Sequence, residues 1–272
     1  MKRPKILYHF TSIENIPGII QEDKKIHLRA TGIYYFNDPN EFTEGRKIHE
    51  KEFKKLNPQL KKNISGTLKS ISKYVGEMYL TSFSESRDKL EMWNLYGKSG
   101  NGVALGFLTE KLEKPYSGYN VKFNKCVYDK KKFKSESDNF WQTHGKIDIN
   151  DKQYSTNDTT TPADFPLSCV KYKTSAYKYE DEWRLCFLNN ERCTFTGKTK
   201  YDVHNRISQR GVLVPFIDNI YPLEALQSIT IGPSANYKQI KKTLNSYLES
   251  IIDKDLLKNI KIKKSRIKFR NI

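Results

Sequence analysis

The alternation of apolar and polar positions divides this chain into strands and helices that follow no regular repeat. Ile6 to Phe10 is a short apolar run that reads as a strand. Thr11 and Ser12, with Glu14 behind them, form a helix-capping signal, and Ile13, Ile16, Ile19 and Ile20 recur at helical spacing. A helix is therefore predicted through Ile20, with Pro17 tolerated near its first turn. A strand region from Ile26 to Phe36 runs into the turn-forming Asn37-Asp38-Pro39-Asn40. From about Glu41 to Tyr74 a Lys-rich helical stretch carries Ile48, Phe53, Leu56, Leu60, Ile64 and Leu68, broken at Asn57-Pro58. Met78 to Phe83 and Gly102 to Phe107 have the continuous apolar character of buried strands. Between them, Lys89 to Tyr96 reads as a short helix presenting Met92, Trp93 and Tyr96, and Tyr119 to Tyr128 as another strand.

From about Ser135 to Asp164 the residues shift to Ser, Thr, Asn and Asp and hydrophobic periodicity disappears, which predicts a mobile loop or insertion. Strands return at Trp183 to Leu188, Val212 to Phe216 and Ser228 to Ile231. A final helix, Tyr237 to Leu257, sets Ile240, Leu244, Tyr247, Leu248 and Ile251 on one face, and Ile260 to Phe269 alternates apolar and basic residues as a half-buried strand does. Strands with helices interspersed, but without regular βα alternation, predict an α+β fold on a mostly antiparallel or mixed sheet. A length of 272 residues suffices for a single domain, 1–272, with one polar insertion at about 135–165.

Charge changes this picture more than composition does. Lys+Arg 48 against Asp+Glu 31 leaves +17, which favours a polyanionic partner such as nucleic acid, although a Lys-rich solubilising surface accounts for it almost as well. Basic stretches at Lys54/Lys55, Lys61/Lys62, Lys130 to Lys134 and Lys261 to Arg270 are interleaved with Tyr128, Phe133 and Phe269, as in surfaces that track phosphates and stack bases. Cys126, Cys169, Cys186 and Cys193 have no paired metal spacing, which fits reduced thiols in a cytoplasm and gives no reason to expect a metal. No stretch approaches a membrane span and the start lacks a signal-peptide pattern, so a soluble cytoplasmic protein with no membrane partner is expected.

The sharpest candidate for chemistry is Tyr179-Glu180-Asp181-Glu182-Trp183-Arg184-Leu185. In an extended strand, Glu180 and Glu182 point to one face, where repulsion or burial tunes one of them. The ordinary alternative is a surface ion-pair strand with Lys171, Lys173 or Arg184. At the other end of the chain, Tyr8-His9-Phe10-Thr11-Ser12 offers a histidine on an early strand, and a site built from His9 and Glu182 would join both ends of the fold. Gly97-Lys98-Ser99-Gly100-Asn101-Gly102 lacks both the P-loop and the dinucleotide spacing and reads as a hairpin or loop with the option of cradling phosphate.

Together, Tyr8-His9-Phe10-Thr11-Ser12, Phe36-Asn37-Asp38-Pro39-Asn40-Glu41, Met92-Trp93-Asn94-Leu95-Tyr96 with Gly102-Val103-Ala104-Leu105-Gly106-Phe107, Tyr179-Glu180-Asp181-Glu182-Trp183-Arg184 and Ile231-Gly232-Pro233-Ser234 resemble an uncharacterised bacterial family. The order of His9, then Gly32-Ile33-Tyr34-Tyr35-Phe36, then Glu180-Asp181-Glu182 resembles the ADP-ribosyltransferase superfamily. Leu80-Thr81-Ser82-Phe83-Ser84 is similar to the Ser-Thr-Ser segment of that superfamily's other branch. The resemblance implies a split mixed or antiparallel sheet with flanking helices and NAD as substrate. It makes His9 the ligand of a ribose hydroxyl, Tyr34 or Tyr35 the residue stacked on nicotinamide, and Glu182, seconded by Glu180, the catalytic carboxylate. Thr11, Ser82, Ser84 and Trp93 complete the implied cofactor contacts. A basic transferase of this kind suits modification of RNA or DNA, a role as toxin or anti-phage effector, and a cognate antitoxin or inhibitor as partner. Two other classes are open: a nucleic-acid-binding module without catalysis, and a metal-dependent nuclease using Asp38, Glu41, Glu180 and Glu182 around magnesium.

Overall fold

The apolar run at the start of the chain becomes a central strand. In the computed structural model, which describes residues 4–36, 38, 40, 42–56, 77–113, 121–144, 164–189, 201–208 and 211–269, ten strands form one mixed sheet. They are β1 Ile6–Thr11, β2 Lys25–Gly32, β3 Met78–Ser84, β4 Val103–Leu108, β5 Val121–Lys125, β6 Glu182–Leu188, β7 Val203–Ile207, β8 Leu213–Pro222, β9 Leu226–Ile231 and β10 Lys261–Lys264. The main order is β10-β9-β4-β1-β3-β2-β8-β7, with β6 on β3 and β5 on β6. The β9–β10 pair is parallel and the other pairs are antiparallel. With its helices, α1 Ile16–Ile19, α2 Thr43–Leu56, α3 Leu90–Leu95, α4 Thr109–Glu113, α5 Lys130–His144, α6 Asp164–Cys169, α7 Tyr237–Ile251 and α8 Lys254–Leu257, this is an α+β architecture: an open mixed sheet flanked by helices.

Both faces of the sheet are covered, which explains why β3 and β6 are apolar without alternation. Tyr79, Phe83, Trp183, Leu185 and Phe187 enter one core with Leu244 and Leu248 of α7. Met78, Leu80, Cys186 and Leu188 point the other way into a second core with Phe53 of α2, Trp141 of α5 and Phe165 and Leu167 of α6. Every residue of β6 is buried, Glu182 and Arg184 included.

Several elements differ from expectation for local reasons. The helix expected through Ile20 splits into a 3-10 turn, Ile13–Asn15, and the single turn α1, and Ser12 makes no side-chain cap. Thr11 Oγ1 instead accepts a bond from Asn15 Nδ2 at 2.8 Å. The strand expected to Phe36 stops at Gly32, where Ile33–Tyr35 forms a 3-10 turn. Residues 135–144, expected within a polar insertion, form most of α5. Phe133, Ser137, Phe140 and Trp141 recur there at helical spacing, and Phe133, Ser137 and Trp141 are buried; the rest of that stretch to 163 lies outside the described residues. The strand expected at Val212 to Phe216 runs as far as Pro222 and pairs with β7, which has no counterpart in the hydrophobic pattern because β7 is mostly exposed. The last helix breaks at Ile252, whose extended backbone separates α7 from α8, and the last strand ends at Lys264. Of the long Lys-rich stretch, the described part ends with α2 at Leu56, next to the expected break; 57–76, Asn37, Pro39 and Glu41 lie outside the described residues.

His49 of α2 marks the centre of the second helical layer. Its Nδ1 lies 2.8 Å from Ser137 Oγ and its Nε2 3.1 Å from Ser168 Oγ. Ser168 donates its own proton to the Phe165 carbonyl, which assigns the imidazole proton to Nε2 and makes Nδ1 the acceptor from Ser137. Phe133, Phe140, Trp141 and Phe165 enclose the ring edge-on. Burial, aided by the Lys171 charge, lowers its pKa to about 3, so it is a neutral core histidine.

Candidate active site

The sheet opens where β3 changes neighbours. On one edge β1 meets β3 at a single pair, Tyr8 with Ser84, while β2 meets the same edge at Leu80 and Tyr79. Between those contacts β1 and β2 diverge, and the gap widens into a cleft of about 280 Å³, close to the lower size of small-ligand sites. Tyr8, His9 and Phe10 line it from β1, Arg29 and Thr31 from β2, and Leu80 to Ser84 from β3. Tyr35, Tyr96, Lys173, Tyr177, Glu180, Glu182 and Arg206 complete most of the wall.

His9 pairs with Leu105 of β4 on one edge of β1, while on the other edge β3 pairs only with Tyr8. The His9 Nδ1 lies 3.0 Å from the Ser82 carbonyl oxygen. A carbonyl only accepts, so Nδ1 carries the proton and Nε2 is left as an acceptor in the neutral ring. Burial lowers the His9 pKa against the opposing effect of the Ser82 bond, which keeps the ring neutral at physiological pH. A neutral Nε2 acceptor suits a ligand hydroxyl.

The two glutamates converge, though not through strand periodicity. Glu180 ends a 3-10 turn, Ser175–Glu180, and Asp181 adopts the left-handed conformation at φ 44° before β6 begins at Glu182. Asp tolerates this geometry better than most residues. The reversal turns both carboxylates toward Lys173, whose Nζ contacts Glu180 Oε2 and lies 2.8 Å from Glu182 Oε2. Arg184 Nη2 donates to the same Glu182 oxygen at 3.0 Å, and its Nη1 to the Val170 carbonyl at 2.7 Å. Tyr96 donates its hydroxyl to Glu180 Oε1 at 2.8 Å, and the Glu182 amide donates to the Tyr128 hydroxyl at 2.9 Å. Glu180 and Glu182 are each 3% exposed and Lys173 5%, so this is a buried network and not the surface ion-pair strand.

The network separates the two acids. Burial would raise the Glu182 pKa, but Arg184 and Lys173 outweigh it and hold the carboxylate ionised well below the usual range. At Glu180 burial, with the neighbouring Glu182 charge, outweighs Lys173 and the Tyr96 bond and raises the pKa. Carboxyls whose environments push their affinities for protons apart are the usual arrangement of an acid/base site. Lys173 Nζ also stands 4.8 Å over the Tyr177 ring, which closes this end of the cleft.

The cleft thus brings together His9, Tyr35, Ser82, Ser84, Glu180 and Glu182. Ser84 Oγ donates to the Glu180 carbonyl at 2.6 Å and fixes the turn, while the buried Ser82 Oγ has no hydrogen-bond partner among the described residues. Three expected contacts lie elsewhere. Tyr34 is 69% exposed and outside the cleft, because the 3-10 turn directs only Tyr35 inward. Thr11 bonds Asn15, and Trp93 is fully buried, packed edge-on against Phe10 with Nε1 donating to Asp88 at 2.7 Å. Asp38 lines the cleft, but its Oδ1 accepts from the Asn40 amide, in keeping with an ordinary turn. Gly97–Gly102 is no phosphate cradle: the amides of Gly97, Gly100, Asn101 and Gly102 all bond carbonyls of the same turn or of α3. A Cβ on Gly102 would stand 2.3 Å from the Thr11 carbonyl oxygen, so glycine serves close packing there.

Lys173, Tyr96, Tyr177, Arg29 and Arg206 are site residues with little sequence signal. Lys173 is one basic residue among many, and only its burial beside two acids sets it apart. Cys126, Cys169 and Cys186 are buried thiols, Cys126 donating to Glu182 Oε2 and Cys186 to the Arg184 carbonyl, and Cys193 lies outside the described residues. Among the described residues no group of three or more His, Cys, Asp or Glu is placed to hold a metal ion, and no helix is long and apolar enough to cross a membrane.

A family model described as a protein of unknown function (DUF2971) matches residues 92–185. That stretch contains most of α3, Tyr96, Lys173 and both glutamates, but not β1 or His9. No curated protein and no solved structure matches the chain.

Proposed function

We propose that this protein is an NAD-dependent ADP-ribosyltransferase whose acceptor is nucleic acid. The observation that carries the reading is the buried Glu180–Lys173–Glu182 cluster facing, across a split in the sheet, a neutral histidine fixed as a hydroxyl acceptor. In such a reaction the bond from ribose C1′ to the nicotinamide nitrogen breaks and its electron pair leaves with neutral nicotinamide. The sugar passes through an oxocarbenium-like state. An ionised carboxylate bonded to the adjacent 2′-hydroxyl stabilises that cation, and Glu182 is held in this state by Arg184 and Lys173. Glu180, with its raised pKa, suits removal of the proton from the attacking acceptor. His9 would orient a ribose hydroxyl through Nε2, and Tyr35 would stack on the nicotinamide ring. The chemistry needs no metal; both glutamates already accept from Lys173, which disfavours the nuclease alternative.

Nucleic acid is favoured as acceptor by charge placed beside the cleft. Asp88 clips the C-terminal segment by accepting from Ser265 Oγ at 2.7 Å and the Arg266 amide at 2.6 Å. This brings Lys263 close enough to Arg87, Lys261 and Arg266 that burial and their charges lower its pKa, and Arg87 also acts on Tyr8 of the cleft wall. A like-charged strip leading to the site is suited to a phosphate backbone.

The test is incubation with NAD labelled on the adenylate, together with RNA, single-stranded DNA or cell protein, using Glu182→Gln and His9→Gln as controls. Label on nucleic acid, lost by at least a hundredfold in Glu182→Gln, supports the reading. Absence of both label transfer and nicotinamide release would sink it, and tight, salt-sensitive binding in that case would leave a non-catalytic nucleic-acid-binding module.

A further inference from the structure

The end of the cleft away from the glutamates carries positive charge that no carboxylate among the described residues pairs with. Arg29 on β2 and Arg206 on β7 both line the cleft. Their elements are not neighbours; β8 lies between them, and its Phe216 seats the Arg29 guanidinium 4.8 Å from the ring centroid. Burial and the Arg29 charge lower the Arg206 pKa, so the two guanidiniums sense each other. Neither forms an ion pair among the described residues. Asp38 in the cleft wall accepts from the Asn40 amide, and Asp218, which faces Arg29 across the β2–β8 pair, bonds His27 at 2.8 Å instead. Two like charges held together without a counterion cost free energy that a multiply charged anion would recover, and a planar guanidinium pair matches phosphate oxygens.

We propose that Arg29 and Arg206 form a diphosphate-binding subsite, set at the far end of the cleft from Glu180 and Glu182. Read with the transferase assignment, on which this placement of the ligand rests, the subsite holds the diphosphate of a dinucleotide. The nicotinamide ribose then lies toward the glutamates. Thr31, two residues along β2 on the same face, also lines the cleft.

Titration calorimetry with ADP, inorganic pyrophosphate and adenosine tests the subsite without any reaction. The wild-type protein should bind ADP, with pyrophosphate competing, and adenosine at least tenfold more weakly. Arg29→Gln and Arg206→Gln should each weaken ADP about tenfold or more and leave adenosine unchanged. Both residues are at least partly exposed, and unchanged melting of the variants confirms folding. The subsite is overturned if the wild type binds ADP no better than adenosine, or if the double variant binds ADP as the wild type does. Nicotinamide release from NAD separates the two claims. ADP binding that depends on both arginines, without any NAD cleavage, would retain the subsite and remove the transferase reading; cleavage with an unaltered KM in the double variant would do the reverse.

Discussion

Lys173 Nζ lies 2.8 Å from Glu182 Oε2, with both side chains nearly inaccessible to water. One cation thereby ties the end of the turn before β6 to the start of that strand, and its removal strands buried negative charge. Lys173→Met should lower unfolding stability by about 3–5 kcal/mol, and Glu182→Ala by a similar amount because Lys173 and Arg184 each lose a buried carboxylate partner. Glu182→Gln, of the same shape, should cost less. Urea unfolding measures all three, and a loss below about 1 kcal/mol for Lys173→Met would contradict the buried network.

The two adjacent tyrosines after β2 should separate cleanly. Tyr35 lines the cleft, whereas Tyr34 faces solvent. Tyr35→Ala should raise the KM for NAD by roughly three- to tenfold, the worth of one aromatic contact, and Tyr34→Ala should leave it unchanged. Steady-state nicotinamide release distinguishes them, and the opposite ranking would misplace the nicotinamide end of the site.

Tyr96 tunes the acid whose pKa is already high. Its hydroxyl bond favours ionised Glu180, so Tyr96→Phe should raise the Glu180 pKa further. Because the folded pKa lies above the unfolded one, ionising Glu180 already costs stability as pH rises; Tyr96→Phe should enlarge that cost, and the acid limb of the rate profile for NAD cleavage should move to higher pH. An unmoved limb would exclude Glu180 as the proton acceptor.

His49 makes an acid-sensitivity prediction independent of the site. Its folded pKa of about 3 lies below the unfolded value of 6.5, so below pH 6.5 the unfolded chain takes up a proton that the native ring refuses. Stability should therefore fall as pH drops from about 6.5 toward 3, approaching ~1.4 kcal/mol per pH unit from this group alone. In His49→Gln, which does not titrate, the slope of stability against pH between 6 and 4 should be shallower by about one proton.

What the sequence reveals follows from how locally each feature is encoded. Central strands such as β3, β4 and β9 are legible because burial on both sides demands largely apolar runs. The helix over Lys130–His144 is hidden because its outer face is Lys, Ser, Asp and Asn, and only Phe133, Phe140 and Trp141 carry the period. β7 is hidden because an exposed edge strand needs no apolar face. At the site, His9 and the two glutamates stand out in short motifs, yet their convergence depends on a left-handed Asp181 and on Lys173. Neither leaves a pattern in residue spacing, and Arg29 and Arg206 are brought to one wall only by the pairing of β2, β8 and β7.

The placement of β1 between β4 and β3 also governs when the site exists during synthesis. β1 has neither of its sheet partners until Met78–Ser84 and Val103–Leu108 have followed it, and the carboxylates arrive later still with Glu180 and Glu182. Pairing across such sequence separations slows folding. A nascent chain shorter than β6, or one cleaved ahead of it, has the histidine without the carboxylates opposite it, so the two walls of the cleft cannot face each other until β6 has been made.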